Sequence, residues 1–165
     1  MNPIDWLCTH APGFKELSNE EREAILHFSL LWSFFEAKSL NTNASASAIL
    51  ALTQNWASQG QLKLAPFENS LAYFQARHFA NRLPTAHLDG LALRTNDNPG
   101  LVHSVLKGEA MSPSDTVAAL LIVVYRLRNN LFHGAKWAYD IRGQLGNFTH
   151  ANAALMAALE TQGYL

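Results

Sequence analysis

The stretch VAALLIVVYRLRNNLFHG, residues 117–134, runs apolar from Val117 to Tyr125 and then turns polar at Arg126, Arg128, Asn129, Asn130 and His133. The "SPSD" before it is a capping sequence and Gly134 behind it is a natural terminator, so the spacing predicts a helix over about Ser114 to His133. Successive helical residues lie about 100° apart. Val117, Leu121, Val124 and Arg128 therefore share one stripe, and Tyr125, Asn129 and His133 form a second beside it. A helix apolar on every side must be covered on more than one face, which gives it a central place in the fold or a place at a subunit interface. Arg128 and His133 diverge by roughly 140° on an ideal helix. They face one substrate only if the helix end unwinds or a second chain supplies one of them, and a two-fold axis near residues 128–133 would do the latter.

The rest of the chain also reads as helices separated by short polar breaks. Ser18 and Glu21 in "SNEE" form a capping box, and a helix follows to about Leu40. A second runs over about Ser47 to Ser58 and ends at Gly60. Pro66 opens a third that continues until the residues before Pro84, and Pro84 to Gly100 is loop-like, with turn signals at "LDG" and "NDNPG". A short helix covers Leu101 to Lys107. Ile141, Leu145, Phe148, Leu155 and Leu159 recur at helical spacing in a last helix, weakened by Gly143 and Gly146. No alternating strand pattern, internal repeat or low-complexity tract is present. The expected fold is all-α, an up-and-down bundle of about five to six helices in one domain, residues 1–165. Trp32, Phe34, Phe35, Tyr73, Phe74 and Phe79 are assigned to its core.

Composition narrows the function classes. The chain has 165 residues, 48% of them hydrophobic, and a net charge of −1, which argues against a general nucleic-acid coat protein that relies on many phosphate contacts. The single Cys8 excludes an intramolecular disulfide and a cysteine-pair zinc site. The other histidines show no metal-ligand spacing, so no metal and no cofactor is expected. The first residues carry neither a basic segment nor a long apolar one, and the apolar run of nine residues falls short of the roughly 20 that a membrane helix needs. A cytoplasmic protein without a membrane partner is expected. Against the acidic "KELSNEEREA", residues 126–142 gather Arg126, Arg128, Lys136 and Arg142 with only Asp140 among them, a local basic patch.

An apolar helix that ends in Arg-Asn, three residues and His, within an all-α domain, resembles the HEPN superfamily (higher eukaryotes and prokaryotes nucleotide-binding domain). "RNNLFHGAK" is similar to HEPN ribonucleases of bacterial and plasmid-borne conflict and defence systems. The resemblance covers about ten residues and the helical plan. It implies a metal-independent endoribonuclease with a composite site at a homodimer interface, a toxin or anti-phage effector that leaves a 2′,3′-cyclic phosphate and a 5′-hydroxyl. Arg128 would bind the scissile phosphate, His133 would move a proton, and Asn129 would orient either the phosphate or the imidazole. Tyr125, Arg126 and Lys136 are candidate substrate contacts, and Glu36 is a candidate acid for pairing with and orienting Arg128. RNA, and an antitoxin or regulatory protein, would be the partners. A HEPN subgroup paired with nucleotidyltransferase antitoxins has a tyrosine two residues after the histidine. Ala135 stands there in this chain, so that partner does not carry over.

Spacing alone does not select the site. Arg22 with His27 and Arg82 with His87 show the same interval, but only Arg128 is followed by Asn, preceded by a long apolar helix and matched with a His that a Gly follows. Trp137 and Tyr139 could stack a base or pack on the last helix. The alternative function is a HEPN module that dimerises or binds RNA without cutting it. An unrelated helical adaptor is a third reading.

Overall fold

The computed structural model describes residues 2–134 and 141–163. Seven α-helices lie within them: α1 (Pro3–His10), α2 (Asn19–Ser39), α3 (Ala46–Ser58), α4 (Glu68–His78), α5 (Pro99–Leu106), α6 (Pro113–Phe132) and α7 (Leu145–Thr161). The class is all-α. The only strands among the described residues are β1 (Phe79–Ala80) and β2 (Leu83–Pro84), one antiparallel pair.

The helix starts follow local chemistry. Ser18 accepts the Glu21 amide at 3.1 Å while Glu21 accepts the Ser18 amide at 2.9 Å, which closes the capping box. Ser112 caps α6 with Pro113 at its first position, and His133 ends it with Gly134 at φ +76°. Two expectations need correction. The helix entering Pro66 stops at His78 instead of reaching Pro84, because Phe79 is extended and Asn81 and Arg82 both take positive φ (51° and 64°). That pair is the two-residue turn a tight hairpin requires, and Pro84 keeps Leu83 extended. The eight-residue α1 has no sequence expectation behind it and buries no residue, so no apolar stripe announces it.

Every residue from Val117 to Val124 is buried, as a helix apolar all round demands. α3 and α5 pack against α6, and α7 packs on both α2 and α6. Phe28 of α2 meets Phe148 of α7 with ring centroids 5.1 Å apart. Each such fully buried side chain contributes about 1.5–3 kcal/mol. Phe34 is a further correction. It is 47% exposed, because α2 turns Phe28, Trp32 and Phe35 inward and Leu26, Leu30 and Phe34 outward. Tyr73 is only half-buried and donates to Asn147 Oδ1 at 3.1 Å.

His78 gives the fold a pH dependence. Burial lowers its pKa to about 4 from 6.5, aided by Arg77 and His87 and opposed by the Phe74 carbonyl, to which Nδ1 donates at 2.8 Å. The unfolded imidazole takes up a proton near 6.5 while the folded one stays neutral until about 4. Stability from neutral His78 is thus complete above pH 6.5 and lost as pH falls towards 4, by on the order of 3 kcal/mol. Urea unfolding at pH 7 and pH 4.5 should show a larger loss in wild type than in His78→Gln. Equal losses would assign the acid sensitivity to other groups such as His150, whose pKa burial also lowers.

Candidate functional site

The polar end of α6 divides into two sets by direction. Arg126 and Asn130 face the loop that precedes α5. Arg126 is 3% exposed, donates from Nε to the Leu91 carbonyl at 3.2 Å and pairs through Nη1 with Asp97 at 3.4 Å. Burial lowers its pKa and Asp97 opposes that shift. Asn130 donates to the carbonyls of Gly90 and Leu91 at 3.0 and 3.3 Å. Carbonyls of an irregular loop need donors, and these two side chains provide them at Gly90 and at the buried Leu91. Part of the polar cluster therefore serves the fold.

Arg128 and Asn129 form the second set. Arg128 Nη1 donates to Asn129 Oδ1 at 2.9 Å, and Nη2 lies 3.6 Å from Glu36 Oε2. Trp32 Nε1 donates to the same Glu36 oxygen at 2.8 Å. The guanidinium carbon sits 5.9 Å from the Trp32 ring centre and 5.5 Å from that of Phe132, both within cation–π range. Arg128 is thus held between α2 and its own helix with its side chain 27% exposed. Its Nε is buried and has no hydrogen-bond partner among the described residues. A guanidinium fixed in this way is preorganised, and its exposed part is a charged donor of the kind that suits a phosphate oxygen.

His133 is exposed at the helix end, its amide donating to the Asn129 carbonyl at 2.9 Å. Among the described residues no hydrogen bond or ion pair joins it to Arg128. The two flank the same helix end without facing each other, as their spacing requires.

The Arg128–Glu36 pair expected from the sequence forms. Tyr125 is half-buried, its ring centre 5.9 Å from that of Trp32. Lys136, Trp137 and Tyr139 lie outside the described residues. Trp32 is the participant that sequence reasoning assigned only to the core; its position four residues before Glu36 on one helical face is the signal that could have placed it here. The other two Arg-x4-His pairs separate structurally. Arg22 donates to the Phe14 and Lys15 carbonyls at 3.2 and 3.4 Å, and Arg82 lies in the hairpin turn. Among the described residues no group of three or more His, Cys, Asp or Glu could hold a metal ion, and no helix is long and apolar enough to cross a membrane. Comparison with protein-family models, with curated proteins and with solved structures returns no match for this chain.

Proposed function

We propose that this chain is a HEPN-like, metal-independent endoribonuclease whose active site is composed from two copies of the chain. The observation that carries this reading is the fixed, partly exposed Arg128 guanidinium, set at the same helix end as a solvent-facing His133.

In this reading Arg128 grips the scissile phosphate and stabilises the charge that grows on its oxygens. The ribose 2′-oxygen attacks phosphorus as His133 of the other copy takes its proton. The bond to the 5′-oxygen breaks, and that oxygen takes a proton from water to leave as a 5′-hydroxyl, while the 2′,3′-cyclic phosphate remains on the first fragment. Asn129 and Glu36 orient the guanidinium. Phe132, exposed and in contact with Arg128, is an apolar anchor for the second copy.

The test is incubation of purified protein with total RNA and tRNA in EDTA, with product ends mapped. Cleavage with cyclic-phosphate ends supports the reading. RNA that is bound by a dimer but stays intact would replace it with the non-catalytic RNA-binding module. In the same assay Phe132→Glu should lower dimer content and activity together.

A further inference from the structure

A cleft of about 480 Å³ opens between the start of α3, the turn Thr95–Asp97 and α6. It lies beside the candidate active site and not within it. Tyr125 lines it and meets Trp32, and Arg128, whose guanidinium lies over the same Trp32 ring, comes one helical turn after Tyr125. The volume falls in the range of small-ligand sites, so the cleft has room for a phosphate with part of its sugar.

The walls share one electrostatic character. Arg126 is pinned by Leu91 and Asp97, and Arg94 is exposed at the rim. Asp97 is the only acid among the lining residues, so two guanidiniums against one carboxylate leave the cleft cationic on a chain whose net charge is −1. The Asp97 carboxylate is already taken up, since Oδ2 accepts the Arg94 amide at 2.7 Å and pairs with Arg126. α3 supplies the third wall. Ser45 caps it by accepting the Ala48 amide at 3.1 Å, which leaves the amides of Ala46 and Ser47, both in the lining, without an intrahelical acceptor. Asn96 adds a further polar side chain. A buried, positioned arginine, an exposed second arginine and a positive helix end lining one cavity suit an anion with several acceptor oxygens.

We propose that this cleft binds the phosphate group of a nucleotide. The choice of a nucleotide over another oxyanion rests on the RNA-cleaving reading. The site itself rests on the cavity and its charges. The phosphate can come from the RNA strand, one step from the bond cut at Arg128, or from a free nucleotide.

Two probes separate these sources: adenosine 5′-monophosphate followed by calorimetry, and a short 2′-O-methyl oligoribonucleotide that cannot be cleaved, followed by fluorescence anisotropy over a salt series. Arg94 is the residue to change, because it is exposed and its loss leaves the Arg126–Asp97 pair in place. Arg94→Ala should weaken monophosphate binding about tenfold, Arg94→Lys should recover part of it, and Arg128→Ala should leave it unchanged. If the strand is the occupant, Arg94→Ala should also lower the salt slope of oligonucleotide binding by about one. An unchanged slope with weakened monophosphate binding assigns the cleft to a free nucleotide. Monophosphate that binds wild type and Arg94→Ala equally, fails to bind wild type, or is lost in Arg128→Ala overturns the proposal. None of these readouts requires cleavage, so an inert enzyme and an empty cleft are told apart.

Discussion

His133→Ala should lower the rate of RNA cleavage by about 10²–10⁴, the usual contribution of a positioned acid or base, while leaving the fold intact. The side chain is exposed at a helix end, and the cap that stops the helix belongs to Gly134 and to backbone amides, so removal of the imidazole takes away no packing. Arg128→Ala should reduce the rate comparably. Its ion pair with Glu36 is partly exposed, so the loss of stability should stay within about 1 kcal/mol. Arg128→Lys keeps the charge but loses the planar fork and should rescue little. The decisive experiment mixes the two inactive variants. If each site takes Arg128 from one copy and His133 from the other, half of a randomly mixed population is heterodimer, and each heterodimer carries one intact site. Activity should return to about a quarter of wild type. If both residues act within one chain, every site in the mixture lacks a partner and no activity returns.

Asp97→Ala should destabilise the fold by about 3–5 kcal/mol, the penalty for stranding a buried charge. The Arg126 guanidinium is 3% exposed, and with the carboxylate gone nothing on the cleft wall replaces it. The same change frees the Arg94 amide, which Asp97 holds at 2.7 Å. Arg126→Met combined with Asp97→Ala should recover much of the loss, because a flexible apolar side chain of similar length fills the space without a charge. Urea unfolding of the two single variants and the double variant measures this directly. A single-variant loss under about 1 kcal/mol would mean that water reaches Arg126 and that the pair contributes little.

The features legible from the sequence are those written in neighbouring residues. Ser18 with Glu21, the caps around α6 and Gly134 each depend on contacts within four positions, and all are found in place. The encircled position of Val117 to Val124 follows from composition on every face of a helix. Glu36 stood as a candidate acid for Arg128, and the two lie 3.6 Å apart. What escaped depends on distant chain. Nothing near Arg126 reveals that Asp97 will meet it, and the structure buries it in the wall of the neighbouring cleft, paired with that carboxylate. Asn130 likewise reaches carbonyls 40 residues earlier. Phe34 read as core because its neighbours are apolar, but a helix packed along one side of α7 must leave some of its own circumference outside.

The encirclement of α6 also constrains how the chain can be made. Its walls come from α3 and α5, synthesised before it, and from α7, synthesised after it. Until α7 leaves the ribosome, the apolar run at Val117 to Tyr125 has no complete cover, and the inner face of α2 waits with it. The nascent chain therefore passes through a stage in which its stickiest segment is exposed. Chaperone attendance and the yield of soluble protein depend on how quickly α7 arrives and docks.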